Sequence, residues 1–262
     1  MSGEKYIAGA LGTEEKLFLG RARDMAKRAF ERGFFVYGNF MSAGELSLLE
    51  ADEQTAGCFS VYGGYDEAER VVAAFGSEEI FGYPPSFPVR ALCINCRSEK
   101  YAEPLTHRDY LGALVGLGIS RDALGDIIVR EDHGAYVFCL DKMAEYICSA
   151  LVKVRRTDVE VRNADEAMAS KIKREYENRV VVAASDRLDA LAAAVFGLSR
   201  AAAHSLAEKG LIFVNGIAVP DPSFRPSNDS VISVRGSGKF VYRQVCGNTG
   251  SGRVRVNVDM YK

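Results

Sequence analysis

The sequence predicts an α+β protein made of three folded parts, and three observations predict it. Residues 86–165 carry strand and helix periodicities in the order β-α-β-β-α-β. Ahead of them, helical and strand patterns alternate through residues 1–85. After residue 185, two short helical segments give way to strands joined by tight-turn residues. The expected organisation is an N-terminal α/β domain (1–85), a central ferredoxin-like or RRM-like βαββαβ domain (86–165), a linker (166–184) and a compact C-terminal module (185–262).

In the first part, Leu17, Ala22, Met25, Ala26 and Ala29 recur at helical spacing over residues 14–32, and Gly33 supplies a C-cap. Ser42 and Glu45 form a capping box for a second helix that ends near Asp52. Residues 58–62 read as a strand, Gly63-Gly64 as a turn and residues 66–75 as a short helix. Three of the seven prolines fall within residues 82–88, which marks a boundary.

In the central part, residues 89–96 read as a strand, and residues 106–117 as a helix opened by a Thr106/Asp109 capping box. Strands follow at 126–129 and 134–140, then a helix over 141–152 with Met143, Ile147 and Leu151 on one face, then a strand at 158–162. This topology hosts many functions and does not select one. RRM sheets stack bases on aromatics of their two central strands. Tyr136 and Phe138 share a face, but the 126–129 strand offers no aromatic, so core packing is their expected role. The one C-x-x-C pair, Cys93 and Cys96, lies in a strand, and His107, His133 and His204 supply no second ligand pair. Packing is expected for these thiols, with no metal or cofactor. Residues 164–179 read as a charged, helical connector.

The formal net charge of −2 hides an asymmetry. From Val180 onward there are ten Lys and Arg against six Asp and Glu, leaving 23 basic and 29 acidic residues before it. A basic surface confined to one module suits phosphate binding. No apolar run is long enough to span a bilayer, and the first residues lack a signal-peptide core, so a cytoplasmic protein without membrane contact is expected.

The C-terminal module opens with a helix striped by Leu188, Leu191, Ala192 and Val195, followed by a second helix capped by Ser199 and stopped by Gly210. Residues 211–214 and 217–219 form a hairpin through Asn215-Gly216, and residues 231–234 a further strand. Arg187 and Arg200 fall in the first turns of the two helices, where open N–H groups and the helix dipole attract phosphate. Their planar guanidinium groups add bidentate donors. Lys209 extends the surface, and His204 has no evident nucleophile or acid partner in the sequence, so a solvent-facing or RNA-edge position is its expected role.

Arg187-Leu188-Asp189, Leu198-Ser199-Arg200, Lys209-Gly210 and Phe213-Val214-Asn215-Gly216 resemble, in order and spacing, the RNA-binding domain first seen in small-subunit ribosomal protein four, the S-four (αL) domain. The resemblance implies an RNA face made by Arg187, Ser199, Arg200, Lys209, Asn215 and Gly216, with His204 beside it. Gly63-Gly64-Tyr65 with Ala68-Glu69-Arg70, residues 107–114, 116–119 and 125–127, and the closing 252–256 resemble the bacterial YlmH family of S-four-domain proteins. That family implies a monomeric, non-enzymatic protein that binds rRNA and tRNA on the large ribosomal subunit with peptidyl-tRNA during ribosome-associated quality control. Two other readings stay open. One is a cell-division interaction protein with incidental RNA binding. The other is a pseudouridine synthase, whose catalytic R-L-D matches Arg187-Leu188-Asp189 superficially, although fewer than eighty residues follow it.

Overall fold

The computed structural model describes residues 12–98, 103–165, 172–250 and 252–261. They divide into two compact units, one of residues 16–42 and 52–174, the other of residues 12–15, 43–51 and 175–261.

Helix α1 (Thr13–Arg32) buries Leu19, Ala22, Ala26 and Ala29, a three- and four-residue spacing that lines one face. Leu17, which the periodicity includes, is instead exposed. Gly33 ends the helix with φ +70° and donates its N–H to the Ala29 carbonyl (2.9 Å). Strand β1 (Val36–Met41), helix α2 (Ala43–Ala51), strand β2 (Phe59–Tyr62) and strand β3 (Val71–Phe75) follow. The three strands form an antiparallel sheet in the order β1-β3-β2.

The helix expected over residues 66–75 is therefore corrected. All five residues of β3 are buried between two partner strands. Such a central strand is apolar on both faces and shows no alternation, so its period does not separate it from a buried helix.

A one-turn helix α3 (Glu78–Phe81) leads to β4 (Val89–Cys96), α4 (His107–Gly116), β5 (Leu124–Val129), β6 (Ala135–Leu140), α5 (Asp141–Ala150), β7 (Lys153–Val154) and β8 (Thr157–Asn163). The sheet order is β5-β6-β4-β8-β7, antiparallel throughout, which is the ferredoxin-like arrangement with a β7–β8 hairpin added at one edge. The Thr106/Asp109 capping box opens α4. The proline-rich stretch does not separate two cores: Phe40, Tyr65 and Val72 join Leu92, Ile94 and Phe138 in one hydrophobic cluster.

A buried polar network pins the segment 63–70 to the central sheet. Asp126 accepts hydrogen bonds from the Tyr65 hydroxyl (2.7 Å), the Glu69 N–H (2.8 Å) and the Arg174 guanidinium (2.9 Å). Burial and the Asp126 carboxylate raise the Tyr65 pKa and keep its hydroxyl a donor. Arg70 donates to the carbonyls of Leu124, Phe40 and Arg121. Gly64 (φ +103°) backs onto Phe138, whose ring would lie 2.2 Å from an added Cβ. The family-like residues Gly64, Tyr65, Arg70 and Asp126 are thus structural.

The second unit is a six-stranded antiparallel sheet with two helices on one face. Its elements are β9 (Tyr176–Ala183), α6 (Leu188–Phe196), α7 (Arg200–Glu208), β10 (Ile212–Val214), β11 (Ile217–Ala218), β12 (Ser230–Val234), β13 (Gly238–Asn248) and β14 (Val254–Tyr261). The strand order is β11-β10-β12-β13-β14-β9. Leu188, Leu191, Ala203 and Ala207 of the helices pack with Ile212, Ile232, Phe240, Val256 and Val258. Each fully buried large side chain here stabilises the unit by about 1.5–3 kcal/mol.

Two expectations change in this unit. Residues 176–183, expected in the helical connector and the 166–184 linker, form β9, which pairs along its whole length with β14. The rest of the connector, residues 166–171, lies outside the described residues. The closing segment, to which the sequence reading assigned no secondary structure, supplies β13 and β14. Helix α2 also belongs here: an added Cβ on Gly44 would lie 2.6 Å from the Gly216 carbonyl oxygen, so only two glycines permit that backbone approach.

Candidate nucleic-acid interface

The expected RNA residues of α6 and α7 converge on a buried carboxylate. Asp189 has no solvent exposure, and Arg187 donates to it bidentately, Nε to Oδ1 at 3.2 Å and an Nη to Oδ2 at 3.1 Å. The Arg200 Nε lies 4.0 Å from the same Oδ2, and His204 Nδ1 lies 3.6 Å from it. Arg200 and His204 are largely exposed, whereas the Arg187 side chain is 28% exposed. Asp189 also accepts from its neighbour's N–H, that of Ala190 (2.8 Å). One buried carboxylate therefore fixes Arg187 by hydrogen bonds and has Arg200 and His204 gathered within 4.0 Å of it, their outer edges facing water. The Asp189 carboxylate is thus turned to Arg187 and Ala190 inside the unit and not to its surface.

The helix ends behave differently from the sequence expectation. Arg187 is the N-cap of α6 rather than a first-turn residue. The Leu188 and Asp189 N–H groups donate to the carbonyls of Phe224 (2.8 Å) and Pro222 (3.2 Å), and Ala190 is taken by Asp189. The α6 N-terminus is thus closed by its own protein, and attraction for phosphate there rests on side chains. On α7, the Ser199 hydroxyl accepts from the Ala202 N–H (3.1 Å), so Ser199 acts as the cap the sequence indicates. Lys209 caps the far end of the nine-residue α7, roughly 13 Å away along the axis, and is exposed.

Asn215 and Gly216 do not join the arginine cluster's bonding. Asn215 (φ +49°) accepts from the Val231 N–H through its side chain (2.8 Å) and donates its own N–H to the Val231 carbonyl (2.8 Å). Gly216 (φ +80°) lies against Gly44. Both shape the β10–β11 turn. Sequence reasoning missed Asp189 as an organiser; its spacing from Arg187 on a helix start was visible, its burial was not.

The central sheet offers less than an RRM platform. Phe138 is buried and stacks on Tyr65, with ring centroids 4.9 Å apart and planes at 20°, so it is closed to bases. Tyr136 is half-buried under the Arg130 guanidinium (5.0 Å to the ring centroid). The two C-x-x-C thiols point to opposite faces, as odd spacing on a strand requires. Cys93 Sγ accepts from Arg130 (2.8 Å), and the Cys96 thiol donates to the His133 carbonyl (3.1 Å). Among the described residues no cluster of His, Cys, Asp and Glu is arranged to hold a metal ion. No described helix is long and apolar enough to cross a membrane.

Fold and site define a class: an α+β protein whose terminal unit presents an aspartate-anchored arginine cluster on a helix pair. Within it, residues 86–167 match the family described as the putative RNA-binding domain in YlmH. Over 250 residues the chain is 28% identical to the Ribosome-associated protein quality control protein P2 of Bacillus subtilis (strain 168), covering 95% of this chain and 96% of that one. The solved structure of the cell division protein ylmH from Streptococcus pneumoniae overlaps 62% of this chain and 97% of its own, at 23% identity and a TM-score of 0.48. These similarities run in the same direction as the resemblance of its sequence motifs to the YlmH family.

Proposed function

We propose that this protein is a non-enzymatic RNA-binding protein that grips structured RNA through Arg187, Ser199, Arg200, His204 and Lys209. The observation that carries the reading is the clustering of Arg187, hydrogen-bonded to buried Asp189, with Arg200 and His204 within 4.0 Å of the same carboxylate. Arginines held in one orientation lose little side-chain entropy when they meet phosphate, and they keep their bidentate geometry. The match to a putative RNA-binding domain and the similarity to a ribosome-associated quality control protein support the same reading. In this reading, which follows what the resemblance of the sequence motifs implies, the RNA is rRNA and tRNA, and the place of action is the large ribosomal subunit carrying peptidyl-tRNA during ribosome-associated quality control.

The test is co-sedimentation with ribosomal subunits on sucrose gradients at low and high salt. Arg187 is also the partner of a buried charge, so Arg187→Lys/Arg200→Ala/Lys209→Ala is a safer variant than alanine at position 187. Wild-type protein is expected in large-subunit fractions and released by salt, because phosphate contacts displace counterions. A folded triple variant that sediments like the wild type would refute the assignment of this face.

A further inference from the structure

We propose that the sheet face turned away from α6 and α7 is a second RNA-contact surface, one suited to a single-stranded segment; it rests on the RNA-binding reading above. Strand register sorts the side chains. Ile212, Ile232, Phe240, Val256 and Val258 enter the core beneath the helices. Their alternates Phe213, Ser233, Lys239, Asn257 and Arg255 therefore face the other way.

That outer face combines cations with rings. Exposed Arg235 places its guanidinium carbon 5.8 Å from the Phe213 ring centroid, and exposed Lys239 places Nζ 5.7 Å from that of Tyr261. Arg255 is exposed at the far end of β14, opposite Val182 of β9. Val182 and Val180 are 47% and 59% exposed, which leaves apolar ground beside a cation. Two carboxylates share Arg243 at this side of the sheet, Asp259 (2.6 Å) and Asp229 (2.8 Å), and Asn178 also donates to Asp259 (2.7 Å), so Arg235, Lys239 and Arg255 outweigh the one carboxylate charge that Arg243 leaves over. Positive charge beside aromatic and apolar surface on an open sheet is the chemistry by which proteins hold single strands: cations meet phosphates, and rings meet bases of any sequence.

The dimensions fit. Three inter-strand steps from β10 to β14 span roughly 14 Å, and the stretch of β13 from Lys239 to Gly247, the partner of Arg255, runs roughly 25 Å. A rigid duplex docked on the helices cannot also lie on the opposite side of the unit. A flexible strand continuing from that duplex can. The cationic face disfavours an apolar protein partner and favours a polyanion.

The experiment uses the full chain, a fluorescent twelve-nucleotide oligouridine as the single strand, and bulk tRNA as the structured RNA, with affinities measured across salt concentration. Arg235→Gln/Lys239→Gln/Arg255→Gln replaces exposed side chains, and circular dichroism checks that the fold is retained. This variant should lose about tenfold in oligouridine affinity, and its log-affinity against log-salt slope should shrink by about 2, from three phosphate contacts on a single strand. Lys239→Glu alone should weaken oligouridine binding in the same direction. The helix-face variant Arg187→Lys/Arg200→Ala/Lys209→Ala should show the reverse, losing tRNA and keeping oligouridine. Absence of oligouridine binding by the wild type, or unchanged affinity and slope in the folded sheet-face variant, overturns the second surface. Unchanged tRNA binding in the helix-face variant overturns the proposed function instead. A sheet-face variant that keeps oligouridine but loses a bound protein in affinity capture replaces RNA by protein as the occupant.

Discussion

Replacing Asp189 tests whether a buried anion organises the arginine cluster. The carboxylate is fully buried, holds a bidentate Arg187 that is 28% exposed, and takes the Ala190 N–H. Breaking a buried ion pair by removing one partner costs about 3–5 kcal/mol. The lower end applies here, because Arg187, Arg200 and His204 can turn toward water once released. Asp189→Ala is therefore expected to destabilise the carboxy-terminal unit by about 3 kcal/mol. Asp189→Asn keeps the shape and an acceptor but loses the charge-assisted bonds, for about 1–2 kcal/mol. Hydrogen exchange of peptides spanning residues 188–214, followed in rising urea, reads this unit separately from the other. Structured-RNA affinity should fall further in Asp189→Asn than its modest stability loss explains, since Arg187 loses its anchor and Arg200 the charge it stands beside. Exchange protection within about 0.5 kcal/mol of wild type in Asp189→Ala would refute the anchoring role.

Other outcomes follow from the same geometry. Gly216→Ala places a Cβ 2.3 Å from the Gly44 nitrogen at φ +80°, so it should cost about 2 kcal/mol or more and expose α2 to protease; unchanged proteolysis would contradict the packing. Tyr65→Phe removes the 2.7 Å donor to buried Asp126 and should lower the melting stability of its unit by about 1–2 kcal/mol, read by calorimetry. Native thiol labelling should modify exposed Cys246 first, while Cys139, buried with its pKa pushed up to about 12, reacts only on unfolding; mass spectrometry locates the label. The Arg23 guanidinium holds the Asp52 carboxyl below its ordinary 3.8, so the stability it contributes is complete above that value and is lost as pH falls through the lower folded one. Arg23→Gln should accordingly differ from wild type near neutral pH and converge with it in acid, once Asp52 is protonated in the folded protein too, in urea titrations.

Local chemistry was readable along the chain wherever a signal is carried by neighbouring residues. The Thr106/Asp109 box, the Gly33 stop, the Ser199 cap and the Asn215-Gly216 turn each depend on contacts within a few positions, and the structure places each as read. The βαββαβ order was readable because each element alternates or repeats clearly enough to be typed by itself. What needed distant partners was not. Val71–Phe75 becomes a strand because β1 and β2 flank it, and β9 because β14 lies alongside. The helix ends and the arginine cluster divide the same way. By itself the sequence determined that Arg187 and Arg200 begin two short helices in a basic module. Tertiary structure alone decided that a buried Asp189 holds Arg187 with Arg200 beside it, that Pro222 and Phe224 close the α6 N-terminus, and that Gly216 is spent on packing against Gly44. The physical reason is that burial and long-range hydrogen bonding depend on which segments meet, and no local pattern of residue types records that.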